Sequence, residues 1–155
     1  MLTIRRATLS DVDAMHAIQM RAFAAEARLC GTREIPPLLE RPDSVAEHVS
    51  SHVALVATQG DVLLGCVRGV REAEAYTVRA LVVEPSMHGQ GIGSALLRAL
   101  EAELRHAQRI ELTTNTLVEG NVAFYERHGY SVYAYKEPFP GITLALLAKS
   151  VRTDA

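Results

Sequence analysis

The chain has 155 residues, 48% of them hydrophobic and 22% charged, enough for one domain (residues 1–155) with a real core. A net charge of -2 excludes a broad basic footprint for nucleic acid, and no apolar run approaches a membrane span. The two cysteines, Cys30 and Cys66, lack metal or disulfide spacing, and no signal-peptide pattern opens the chain, so a reducing, cytoplasmic compartment is expected.

Residues 2–7 alternate as a short strand. Ser10 reads as the N-cap of a helix running to about Arg28, with Met15, Ile18 and Ala22 on its inner face. Residues 29–43 carry Gly31, Pro36, Pro37 and Pro42 and read as a loop with one helical turn at Leu38–Leu39. A short helix over 44–51 leads into strands at 52–58 and 62–70, joined as a hairpin by Gln59-Gly60-Asp61. Residues 71–75 form a polar connection into a strand over 76–83. A helix over 94–106 and a strand over 109–115 follow. Gly120 to His128 reads as a short helix with Gly129 at its C′ position, and strands over 130–136 and 141–149 close the order.

Residues 76–106 are the most informative segment. A β-branched run ends in Glu84-Pro85, and Gly89, Gly91 and Gly93 follow on alternate positions before a helical pattern through Leu96, Leu100 and Leu104. Such a turn gathers backbone N–H groups on one surface, and the helix start adds unpaired donors and partial positive charge. Its natural guest is a phosphate or pyrophosphate. A P-loop is excluded because no Gly-Lys-Ser/Thr is present. A dinucleotide fingerprint fails because Ser94 occupies the third glycine position counted from Gly89.

The segment from Leu81-Val82-Val83-Glu84-Pro85 through His88-Gly89-Gln90-Gly91-Ile92-Gly93-Ser94 closely resembles the acetyl-CoA loop of the GNAT superfamily of N-acetyltransferases. His88 stands where that family usually has Arg or Gln. A second segment, Asn121-Val122-Ala123-Phe124-Tyr125 with Gly129-Tyr130, is similar to the family's later motif, although the fuller pattern places Asn at the position of Val118. The element order also matches, so the resemblance covers roughly residues 2–150. It implies an α/β (α+β) fold: a mixed, mostly antiparallel sheet with a splayed parallel strand pair and flanking helices. It also implies acetyl-CoA as cosubstrate, a small-molecule or peptide amine as acceptor, and direct transfer. The coenzyme would lie on Leu81, Val82 and Val83, on His88 to Ser94, and on Asn121 and Tyr125. Similar domains often dimerise, so a homodimer is compatible with the resemblance.

The chemistry asks for such parts. Acetyl transfer from a thioester to an amine needs a neutral amine, a polarised carbonyl and a stabilised thiolate. A thiol has a pKa of about 8.5, so a proton donor at the departing sulfur helps, and a phenol with a pKa of about 10 remains protonated to serve. The resemblance assigns that role to Tyr125. A backbone N–H of residues 81–83 would polarise the carbonyl. The general base is open among Glu34, Glu40, Glu72, Glu74 and a water relay. No metal ligand set is complete: His48 and His52 stand at helical spacing without a third ligand and read as a polar surface face. Cys66 reads as core, and Cys30 as a loop thiol. Asn121 taken alone reads as a helix cap. Arg79 reads either as a pocket residue for a substrate carboxylate or as a solvated, strand-paired cation. The competing class is a module that binds acyl-CoA without turnover; a nucleotide-binding protein is a more distant third.

Overall fold

The computed structural model describes residues 1–150. Seven strands form one sheet: β1 (Leu2–Arg6), β2 (Val53–Gln59), β3 (Val62–Glu72), β4 (Ala75–Val83), β5 (Arg109–Asn115), β6 (Ser131–Phe139) and β7 (Ile142–Ser150), in the spatial order β1-β2-β3-β4-β5-β7-β6. All neighbours are antiparallel except β4 and β5. This is the mixed, mostly antiparallel sheet expected from the sequence.

Alternation along the central strands sorts side chains to two faces. Ala54 and Val56 of β2 and Cys66 of β3 join Val12, Met15 and Ile18 of α1 (Val12–Cys30) and Val45 of α3 (Pro42–Ser51). Leu55 and Ala57 of β2, and Leu64 and Val67 of β3, join Ile92, Leu96, Leu97 and Leu100 of α4 (Ile92–Glu103) on the other face. Burying both faces explains why β2 is apolar nearly throughout. A four-residue helix, α2 (Pro36–Leu39), has Pro36 at its first position, where a missing N–H is harmless. Helix α5 (Asn121–Arg127) follows β5, and Gly129 takes a left-handed φ of 93° just past its end, as expected.

Several boundaries move. Ser10 lies inside a 3₁₀ turn over Leu9–Asp11, and Thr8 takes the capping position, its N–H donating to Asp11 Oδ2 at 2.8 Å. Helix α1 runs through Cys30 and ends on Gly31, whose left-handed φ is 73°. Cys30 is therefore a helix residue rather than a loop thiol. Helix α4 starts at Ile92, directly after the left-handed Gly91, and ends at Glu103. The 71–75 connection is a tight hairpin, since Arg71 pairs with Tyr76 and Glu72 with Ala75. Pairing lengthens both strands through residues whose polarity reads as loop.

The site is made by a failure of pairing. β4 and β5 are in register only at Ala75–Arg109, Tyr76–Ile110 and Thr77–Glu111. Beyond Thr77, β4 continues against β3 alone, while β5 stays paired with β7 to Asn115. β4 also carries a bulge: Arg79 pairs with Arg68 and Val82 with Cys66, so two β4 residues oppose one of β3. Ala80 in that bulge has φ 51°, an uncommon conformation for an alanine. The bulge bends β4 and opens a gap between its C-terminal half and that of β5.

Candidate active site

The glycine turn closes the end of β4 and starts α4. Gly89 and Gly91 have φ of 82° and 79°, and Gly91 is the N-cap of α4. A Cβ at either would strain the backbone, yet it would meet no protein atom within 4 Å. The face of the turn is thus open to a guest. The first helical hydrogen bond runs from the Ala95 N–H to the Gly91 carbonyl. The amides of Ile92, Gly93 and Ser94 precede it, as the leading donors of any helix do. Open space beside these leading backbone donors is what a pyrophosphate needs, and the residues present fit one. His88 and Gln90 are exposed beside the turn, and the Gln90 amide lies 3.9 Å from Met87 Sδ.

Gly93 faces inward. A Cβ built there lies 3.7 Å from Val83 and 3.7 Å from the Phe124 ring, so the helix start, the end of β4 and α5 meet at one point. Ser94 Oγ and His128 Nε2, 3.0 Å apart, tie α4 to the end of α5. Burial lowers the His128 pKa, which favours the neutral ring. Leu81 and Val83 pack on the α4 face, and Val82 is buried on the α1 face. The β5-facing edge of β4 beyond Thr77 has no strand partner among the described residues, which leaves backbone groups free to pair with a ligand's amides.

Tyr125 is half-buried on α5, packed edge-on to Phe124 and Tyr130. Its hydroxyl has no hydrogen-bond partner among the described residues. Burial, and then the charge of Glu26, push its pKa up to about 12. Asn121 is the first residue of α5, and Gly120 holds the cap with φ 86°. The Asn121 amide instead donates to Thr114 Oγ1 on β5 at 3.1 Å. The structure thus gathers the end of β4, the glycine turn and α5 around the gap.

The acidic residues weighed for general base lie elsewhere or are committed. Glu72 accepts from Thr77 Oγ1 and pairs with Arg79 at 3.5 Å, at the hairpin end of β4 remote from the glycine turn. Arg79 is solvated and ion-paired beside Glu72, as the second of its two readings has it. Glu74 is exposed in the same hairpin, and Glu34 is exposed in the loop after α1. Glu40 belongs to a structural network. Arg68, 2% exposed, donates to both its oxygens at 2.7 and 2.9 Å, and Gln19 and Ser44 donate as well. His48 joins through Nδ1, 2.8 Å from Arg68 Nη1, so it is half-buried rather than part of a polar surface face.

One carboxylate was missed. Glu26 on α1 is half-buried and receives the Asn115 amide at 3.3 Å. The same amide nitrogen lies 3.1 Å from Cys30 Sγ. Glu26 extends the inner row Ile18–Ala22 by one helical step, with Cys30 one step further. A carboxylate continuing an apolar row was the available signal.

The sheet opens between its two parallel neighbours, and an open glycine turn lies at the helix start that follows β4, an arrangement that suits a coenzyme-dependent group transferase. A model of the acetyltransferase (GNAT) domain matches residues 50–132, more than half of the chain, and the chain belongs to that family. The ribosomal-protein-S18-alanine N-acetyltransferase from Escherichia coli superposes with a TM-score of 0.83 at 19% identity, covering 100% of this chain and 97% of that one. An aminoglycoside 6′-N-acetyltransferase complexed with coenzyme A gives 0.78 at 19% identity, covering 100% and 99%. The PaiA N-acetyltransferase from Thermoplasma acidophilum, in complex with coenzyme A, gives 0.75 at 16%, covering 97% and 99%. No curated protein matches the chain. Among the described residues no helix is long and apolar enough to cross a membrane.

Proposed function

We propose that this protein moves an acetyl group from acetyl-CoA to a primary amine of a small molecule or peptide by direct transfer. The observation that carries the reading is the end of β4–β5 pairing after Thr77, with the open glycine turn at the mouth of the gap it leaves. The turn amides would hold the pyrophosphate, and the free edge of residues 81–83 would pair with the pantetheine arm. A backbone N–H of that edge would polarise the acetyl carbonyl.

Tyr125 is the residue we assign to the leaving sulfur. With its pKa held at about 12, the phenol stays protonated at neutral pH. So weak an acid yields its proton to a thiolate only in concert with a replacement. The attacking nitrogen carries that replacement, because it must lose a proton once the C–N bond forms. The acceptor enters from the end where α1, the loop after it and the β6–β7 hairpin converge, since Leu144 of β7 pairs with Asn115.

Tyr125→Phe keeps the ring packing and removes the donor. Release of free CoA in the presence of amines should fall about ten- to a thousandfold. CoA affinity by calorimetry should change little, because binding rests on backbone groups. Normal turnover in the variant would make Tyr125 structural. CoA binding by the wild type without release of CoA from acetyl-CoA, whatever the amine, would instead favour a binding module.

A further inference from the structure

We propose that Glu26 takes the proton from the acceptor's ammonium inside the β4–β5 gap, and that Asn115 positions its carboxylate. The inference rests on the acetyltransferase reading and supplies the base that reading lacks. Asn115 is the last residue of β5, four positions beyond the last β4–β5 pair, and its buried side chain turns to the α1 face. Its amide fixes the Glu26 carboxylate from there at 3.3 Å, while its carbonyl oxygen accepts the Leu117 N–H at 3.0 Å and is thereby held in orientation. Glu26 belongs to α1, on one face of the sheet, whereas Tyr125 packs with the cluster on the opposite face. The Glu26 charge nonetheless acts on the Tyr125 phenol. The end of β5 links the two faces: Asn115 reaches Glu26 on α1, and the preceding Thr114 accepts from Asn121 at the start of α5, the helix that carries Tyr125.

The surroundings suit the role. The Asn115 amide from β5 sits on the carboxylate, and the same amide nitrogen lies near the Cys30 thiol one turn along α1. No cation pairs with Glu26 among the described residues. A site that binds a cationic amine needs such an uncompensated anion. Burial raises the Glu26 pKa, which narrows its distance from an alkylammonium and makes it a better base.

The protons balance. The ammonium gives one proton to Glu26 and becomes an amine. The nitrogen lone pair forms the C–N bond at the acetyl carbonyl, and the C–S bond breaks with its electron pair going to sulfur. Sulfur takes the Tyr125 proton, and the second nitrogen proton restores the phenol. Glu26 then releases its proton to solvent, leaving an amide and a free thiol.

The test uses Glu26→Gln, which keeps shape and removes charge. Two acceptors are compared at neutral pH: propylamine, almost wholly protonated, and hydroxylamine, largely neutral. The proposal expects propylamine turnover to fall by about 10²- to 10³-fold, with hydroxylamine much less affected. In the wild type, the acid limb of the kcat/KM profile should coincide with the titration of the Glu26 carboxyl carbon followed by NMR, and Glu26→Gln should lose that limb. Glu26→Asp should keep the limb with reduced kcat. Equal loss on both amines, or an acid limb that persists in Glu26→Gln, overturns the proposal. CoA calorimetry separates the two levels of the argument. Wild-type binding and turnover with an unaffected Glu26→Gln sinks the base alone, whereas a wild type that binds no CoA sinks the acetyltransferase reading with it.

Discussion

Two half-buried carboxylates in this fold have opposite fates, decided by their partners. Burial pushes the Glu40 carboxyl up, but hydrogen bonds from Arg68, Ser44 and Gln19 outweigh it and bring the pKa down to about 2. A lowered folded value means a contribution to stability present above the unfolded pKa of about 4.3 and lost as pH falls towards 2. Among the described residues Glu26 has one amide hydrogen bond and no paired cation, so burial wins and its pKa rises. Its contribution has the reverse sign: present below the unfolded pKa and lost as pH rises through the folded one. Glu26→Gln should therefore raise the melting temperature at pH 7 and bring no gain at about pH 4. Glu40→Gln should lower it at pH 7 by leaving Arg68 buried without its anion, at a cost of about 3–5 kcal/mol. Thermal melts across pH check both signs. A Glu26→Gln protein that is less stable at pH 7 would mean that its carboxylate supports the fold rather than opposing it.

At the scale of elements, what was legible followed from period and punctuation. The β4–turn–α4 unit was readable because β-branched residues, Pro85 and alternate glycines each demand one local geometry, and all three agree. The α5 helix was readable from its motif, but the reading of Asn121 as its cap was not met: its amide turns back to Thr114 while Gly120 holds the cap. The Arg68–Glu40–Gln19 network was invisible. Its members lie on β3, on the chain after α2, and on α1, and only tertiary packing unites them. The bulge at Ala80 was equally hidden, since nothing in Arg79-Ala80-Leu81 calls for a positive φ. For the glycine turn the expectation is direct. Gly91→Val forces a β-branched residue to φ 79°, at a cost of about 1–2 kcal/mol, and projects methyl groups onto the open face of the turn. Gly60 has φ 60° and equally open surroundings in the β2–β3 hairpin, so Gly60→Val carries the strain without obstructing that face. Calorimetry should show CoA binding lost in Gly91→Val and kept in Gly60→Val. Unchanged affinity in a folded Gly91→Val protein would remove the turn from the coenzyme site.

For the molecule as a whole, five of the sheet's six strand pairings are antiparallel ladders of five or more paired positions, while β4 and β5 pair at only three, and that interruption is a standing cost. Backbone groups along the free edge of residues 78–83 go without strand partners among the described residues, and the backbone ladder joins β4 to β5 at only three positions. A ligand threaded into the gap would supply the missing partners and act as an eighth strand. Coenzyme binding should then stabilise the fold by RT ln(1 + [L]/Kd), about 2.7 kcal/mol at a hundredfold excess over Kd. For a chain of this length that corresponds to a rise of roughly 5–11 °C in melting temperature. Amide hydrogen exchange locates the effect. Saturating CoA should slow exchange at the β5-facing amides of residues 78–83 and at residues 89–94, and leave β1 and the β2–β3 hairpin nearly unchanged. Gly91→Val should abolish both the thermal shift and the protection. Protection appearing on the outer strands instead, or a thermal shift without protection at the β4 edge, would mean that CoA binds elsewhere and that the gap between β4 and β5 is not where the coenzyme lies.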